Sequence, residues 1–176
     1  MINFGGYFQN MIAVVNPIDS SPIVETVSLL RKVSLSNNYV FIIGNGGSAS
    51  TAQHFATDLG VGSLSRGNPI RALALSDNPA VCTAISNDID FEKVFEKQIE
   101  LFGTEKDILI SISASGNSAN LLCAVQAAKK IGMTTVAMTA FDGGLLRKIS
   151  DVSMHFETEI GQYGLAENIH LSLCHY

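Results

Sequence analysis

Five short apolar runs constrain the fold more than anything else in this chain: YVFIIG at 39–44, RALAL at 71–75, DILISIS at 107–113, TTVAMT at 134–139 and VSMHF at 152–156. Their hydrophobicity is nearly continuous rather than alternating, which marks strands covered on both faces, as in a parallel sheet. Parallel neighbours need long crossovers, usually helical, and the intervals supply them. Helical patterns cover 48–60, a segment after SDNP (76–79), 91–102, 118–131, a short piece of FDGGLLRKIS (141–150), and 163–176. Asp77 or Asn78 can cap the second of these, with Pro79 in its first turn, and Gly132 stops the fourth. Two further helices, about 3–14 and 21–35, precede the first strand. The pattern predicts a doubly wound, three-layer α/β/α fold with a five-stranded parallel sheet and two N-terminal helices. There is no repeat, low-complexity tract or linker, so 1–176 reads as one domain: N-terminal helices over 1–36 and an α/β core over 37–176.

Charge narrows the class of partner. Apolar residues make up 47% of the 176 and charged residues only 15%, lean for a small monomer. Part of the surface is therefore expected to be buried in an oligomer. The net charge is −5, the pI is about 5.2, and the first Lys or Arg is Arg31. That reads against nucleic acid or an anionic membrane surface as partner. No apolar stretch reaches the roughly 18 residues that span a bilayer. The opening MINFGGYFQNMIAVV lacks the positive n-region and cleavage site of a signal peptide. Cys82, Cys123 and Cys174, odd in number and without CxxC spacing, fit reduced, buried thiols in a cytoplasmic protein.

In a sheet of this kind ligands bind outside the carboxyl ends of the strands, and two of those ends are unusual. SASGNS (113–118) joins a strand to a helix N-terminus, where unpaired N–H groups favour an anion, phosphate above all. Gly116 allows close backbone approach, and the hydroxyls of Ser113, Ser115 and Ser118 can donate to phosphate oxygens. The alternative is a plain turn with Ser118 as N-cap. GNGGSAS (44–50) is similar: Gly44, Gly46 and Gly47 permit a tight turn and a close ligand, and Ser48 can cap the next helix. It matches neither GxxxxGK[ST] nor GxGxxG, and an ordinary strand–helix turn fits its spacing equally.

The titratable residues add a second chemistry. His54 and Asp58 lie four apart on one helix, hence on one face, as partners for a metal or a proton, or as a solvated pair. In the last helix, AENIHLSLCHY, His170 sits about 60° to one side of Glu167 and His175 about 80° to the other at 100° per residue. Glu167 can work with either. His54, Asp58, Glu167 and one of these histidines would make a zinc site of N and O ligands. His155, inside a strand, reads as structural.

GNGGSASTAQHFATDL, AISND, LISISASGNSAN and IHLSLCH, in this order and spacing, resemble the sugar isomerase (SIS) domain family, and within it the sedoheptulose-7-phosphate (phosphoheptose) isomerases. The resemblance runs from about residue 39 to the end, and the two N-terminal helices fit it. It implies a SIS-type five-stranded parallel sheet in a homotetramer, with the N-terminal helices packing the oligomer and the active sites between subunits. By matching positions, Ser113, Ala114, Ser115 and Ser118 form the phosphate loop. Asn45, Gly46, Gly47, Ser48, Asn87, Asp88 and Glu167 line the sugar site. His54, Asp58, Glu167 and His175 fall on the zinc positions, one ion per subunit, which selects His175 over His170. Asp58 and His175 match the catalytic pair, with Glu167 able to take over as base. The implied reaction converts sedoheptulose 7-phosphate to D-glycero-D-manno-heptose 7-phosphate through an enediol, for lipopolysaccharide, capsule or another heptose-bearing glycan.

The chain departs from the family pattern at identifiable places. The family has Glu where this chain has Asp58, Gln for Glu167, Arg for Gly62, Asp for Gly164 and often Thr for Ala114. Its last helix also runs about four turns further, so a shortened C-terminal helix is expected. These differences keep two further readings in play: an isomerase of the same type for a different sugar phosphate, and a non-catalytic SIS protein that binds a phosphosugar or a protein partner.

Overall fold

Residues 3–176 are described by the computed structural model. The five apolar runs are strands β1 (Tyr39–Gly44), β2 (Arg71–Ala74), β3 (Ile108–Ser113), β4 (Thr134–Thr139) and β5 (Val152–His155), all parallel, in the order β2-β1-β3-β4-β5. Continuous hydrophobicity follows from two-sided burial. Along β1, Val40 and Ile42 face one apolar layer while Phe41 and Ile43 face the other. All six residues of β3 are buried. Each such Ile or Phe contributes about 1.5–3 kcal/mol of burial. The edge strand β2 is only partly covered, and its Leu73 is exposed.

Helices α1 (Phe4–Val15), α2 (Ser21–Ser34), α3 (Gly47–Gly60) and α8 (Tyr163–His175) cover the first face. The second face carries α4 (Pro79–Asp88), α5 (Glu96–Phe102), α6 (Ala119–Ile131) and α7 (Gly144–Ile149). Asn78 caps α4 by accepting from the Val81 N–H. The helix expected over 91–102 is interrupted: a single 3-10 turn at Phe91–Lys93, capped by Asp90, precedes α5. A 3-10 turn at Val61–Arg66, without a helical period to announce it, extends α3. Of the three free thiols only Cys174 is buried. Cys82 and Cys123 are only partly buried, Cys82 packing against the second apolar layer.

Helix α1 buries no residue fully. Tyr7 ties it to α8, donating to the Gly164 carbonyl at 3.0 Å and accepting from Asn168 at 2.6 Å. Phe4, Phe8, Ile12 and Val15 stay exposed on it. No helix is long and apolar enough to cross a membrane among the described residues.

The strand order places the topological switch between β1 and β3, the crevice where such sheets bind ligands. GNGGSAS leaves β1 and SASGNS leaves β3. The two strands pair directly, with Gly44 opposite Ile112, so the two unusual loops are neighbours.

Candidate active site

The serine loop is held from outside by the β4–α7 connection. Ala140 N–H donates to the Ala114 carbonyl at 3.1 Å, and Leu146 N–H to the Gly116 carbonyl at 2.8 Å. Leu145 N–H donates to the Asn117 side chain at 3.0 Å. Gly116 has φ +64°, and a Cβ there would come within 2.0 Å of the Gly143 carbonyl oxygen. Only glycine satisfies both the left-handed backbone and that approach. Inside the loop, buried Ser113 accepts from the Gly116 N–H at 3.0 Å. Ser115 and Ser118 are partly exposed. Ser118 occupies the N-cap position of α6, but its hydroxyl makes no capping hydrogen bond, so it is free for a ligand. The first N–H groups of α6 have no partner within the helix and carry the positive end of its dipole.

On the other side of the crevice the Asn45 carbonyl accepts from Ser48 and Ala49 at 3.0 and 3.3 Å and starts α3. Gly47, the first residue of that helix, faces Glu167 of α8: a Cβ would lie 2.4 Å from Glu167 Oε1. Seven and eight residues further on, His54 of α3 meets His175 of α8. The two helices therefore run side by side in the same direction.

Their far ends form a compact polar cluster. His54 Nε2 lies 3.1 Å from Asp58 Oδ2 and 2.7 Å from His175 Nε2, and His175 Nε2 is 3.8 Å from the same carboxylate oxygen. One ligand atom from each of the three converges within 4.8 Å, the one such group among the described residues. Two imidazole nitrogens aimed at a shared point beside a carboxylate oxygen are a donor set that suits a catalytic transition metal with an open position. All three side chains are accessible, at 47%, 40% and 53%. Asp58 Oδ1 points toward Gly62, where the absence of a side chain leaves space. A groove of about 730 Å³ between α2, α3 and α8 opens beside Asp58, Gly62 and His175, with Leu59, Met154 and Leu173 as its apolar wall.

Glu167 is outside this trio. Eight residues before His175, it starts about 12 Å back along α8, against Gly47. Asn87 and Asp88, at the exposed end of α4, bond to each other at 2.8 Å and to no other predicted site residue among those described. His170 faces the core: it is fully buried beside Phe156, and neither ring nitrogen makes a hydrogen bond of ordinary geometry among the described residues, although the Thr139 backbone lies close by. Burial lowers its pKa to about 4, outweighing the Thr139 backbone, which pulls the other way. His155 shares a hydrogen bond with Thr139 across β4 and β5 at 3.0 Å, and burial followed by Arg147 lowers its pKa as well. Burial and then Asp58 push the thiol of Cys174, next to His175, up to about 12.

Sequence reasoning missed Asn117 and Asn120. Asn117 braces the serine loop, and buried Asn120 exchanges hydrogen bonds with Asn45. The available signal was Asn120 itself, an amide on the apolar face of α6 next to Leu121 and Ala124.

The SIS domain family pattern matches residues 3–140. The chain is 43% identical over 131 residues to a phosphoheptose isomerase of Helicobacter pylori (strain P12), covering 74% of this chain and 68% of that protein. It is 38% identical over 161 residues to one of Crocosphaera subtropica, covering 91% and 81%. The solved structure of phosphoheptose isomerase from Neisseria gonorrhoeae superposes with a TM-score of 0.85 at 32% identity, covering 97% of this chain and 92% of that one. The chain therefore belongs to the SIS domain family, in its phosphoheptose isomerase branch.

Proposed function

We propose that this aldose–ketose isomerase interconverts sedoheptulose 7-phosphate and D-glycero-D-manno-heptose 7-phosphate, with zinc as its metal. The observation that carries the reading is the meeting of α3 and α8, which gathers His54, Asp58 and His175 beyond a braced, serine-rich helix N-terminus. His54 lies seven residues along α3 from Gly47, a rise of about 10 Å. That span suits a sugar with its phosphate at one end and its carbonyl carbon at the other.

In the proposed mechanism the phosphate sits on Ser113, Ser115, Ser118 and the first turn of α6, with Ala114 supplying backbone only. Asn45, Gly46, Gly47, Ser48, Asn87 and Asp88 border the sugar. A carboxylate takes the proton from C1 of the ketose while the C2 oxygen gains one, giving the enediol. Return of a proton to C2 and loss of one from the C1 oxygen complete the aldose. Asp58 has the geometry for the carbon steps: Oδ2 faces the imidazoles, leaving Oδ1 for the proton. His175, beside the same carboxylate, serves the oxygens. His54, Asp58 and His175 would hold the zinc, and Glu167, two turns back against Gly47, would serve as a second base. Bound there, the ion would steady the enediolate charge.

Four finer readings accompany this one: residues 1–176 act as one SIS domain, the exposed apolar face of α1 packs a homotetramer, the enzyme works in the cytoplasm, and its product feeds lipopolysaccharide or capsule heptose.

The test is turnover of sedoheptulose 7-phosphate followed by NMR, with and without added zinc. Metal-dependent appearance of the heptose 7-phosphate supports the reading. A folded, metal-loaded protein that leaves the ketose unchanged would overturn the substrate assignment. Turnover of another sugar phosphate would then fit the shorter Asp58 and the open Gly62. Binding without turnover of any would indicate a non-catalytic phosphosugar protein. In the active enzyme, Ser115→Ala is expected to raise KM about 10- to 100-fold, the worth of one hydrogen bond to a charged group. Unchanged kinetics would place the phosphate elsewhere.

A further inference from the structure

The two loops of the crevice are joined by one pair of side chains. Asn45 Nδ2 donates to Asn120 Oδ1 and Asn120 Nδ2 donates to Asn45 Oδ1, both at 2.9 Å. Asn120 Oδ1 also accepts from the Leu121 N–H at 3.0 Å, which fixes the amide against the first turn of α6. Asn120 is only 2% exposed, and its amide is engaged by Asn45 and Leu121 rather than open to the crevice. The backbone of Asn45 starts α3 through its carbonyl, and α3 carries His54 and Asp58.

We propose that Asn120 is a positioning residue that acts through Asn45: the reciprocal amide pair holds the start of α3 in register with the serine loop, and so sets the distance between the phosphate end of the substrate and the His54–Asp58 end. The proposal rests on the isomerase reading above. The physical reason is economy of freedom. The serine loop has its own brace in residues 140–146, whereas no other side-chain hydrogen bond links the 44–48 loop to α6 among the described residues. Two amides paired both ways fix distance and orientation together, and in a buried setting their loss leaves unsatisfied groups. An error of about 1 Å between phosphate and base is enough to cost catalysis heavily.

The experiment compares the full-length wild type with Asn120→Ser, neutral and too short to reach Asn45, and with Asn120→Ala. Amide hydrogen exchange of residues 44–50 without ligand is expected to quicken about tenfold or more in the variants, with β1 unchanged, since one lost pair is worth at least about 1.4 kcal/mol. kcat should fall at least about tenfold, and by clearly more than any rise in the inhibition constant of inorganic phosphate, which reads the serine loop and the first turn of α6. Unchanged exchange in 44–50, or kcat and phosphate inhibition moving together, would overturn the clamp. If wild type isomerises no sugar phosphate, the functional reading fails while the exchange data still decide the clamp. A variant that melts early is replaced by Asn45→Ser, which breaks the same pair from the other side and must give the same exchange pattern.

Discussion

Asp58→Asn is expected to lower kcat for the ketose phosphate by about 10²–10⁴-fold, the usual worth of a positioned general base, with the fold intact. The amide occupies the same volume on an exposed face of α3, where Asp58 is 40% accessible, so no core contact is lost. What disappears is a carbon base and an anionic partner for two imidazoles at 3.1 and 3.8 Å. Three measurements separate these losses. kcat with saturating zinc reports the base. Zinc affinity by competition with a chromogenic chelator should weaken by one ligand's share. The inhibition constant of inorganic phosphate should not move, because the serine loop is on β3 and α6 rather than α3. Asp58→Glu is the companion variant, since it restores the length usual in the family. If the shorter side chain is matched to this site, the longer one will also cost rate. If Asp58→Asn retains more than about a tenth of wild-type kcat, the base is elsewhere, with Glu167 beside Gly47 the next to replace.

The strands were legible because two-sided burial leaves a local trace: continuous Val, Ile and Leu runs whose ends agree with the sheet to within one residue. The two glycine- and serine-rich loops stood out as strand ends, but an ordinary turn fitted their spacing equally, and it is the pairing of β1 with β3 that makes them neighbours. The His54–Asp58 pair followed from helical spacing alone. What spacing could not supply was the neighbour across space. The parallel contact of α3 with α8 brings together residues 121 apart in sequence, and it separates His175, aimed at the cluster, from His170, aimed at the core. The same contact puts Glu167 beside Gly47, two turns from the trio that the resemblance would have it join. The Asn45–Asn120 pair was hidden in the same way: each amide looks like an ordinary loop or cap residue until the switch in strand order sets them face to face.

Stability should fall on mild acidification in a way that His170 controls. Its ring is fully buried and makes no hydrogen bond of ordinary geometry among the described residues, and burial, outweighing the nearby Thr139 backbone, lowers its pKa in the folded chain to about 4. In the unfolded chain an imidazole titrates near 6.5. Above pH 6.5 the ring is neutral in both states and contributes no pH dependence. Between 6.5 and 4 the unfolded chain gains a proton that the folded chain refuses, so stability drops as pH falls, by about 3 kcal/mol across the whole window. His155, half-buried with its pKa lowered, adds a smaller effect of the same sign, while the positive charge it takes on works against protonation of His170. Urea unfolding at pH 7 and pH 5, with chelator present to remove any contribution from metal ligands, gives the slope. His170→Gln keeps a polar side chain but cannot titrate. Its loss of stability over that interval should be smaller than that of wild type by about 2 kcal/mol, although its stability at pH 7 is expected to be lower. Parallel slopes for the two proteins would mean that the ring finds a proton acceptor in solution and that α8 is looser around it than the packing against Phe156 implies.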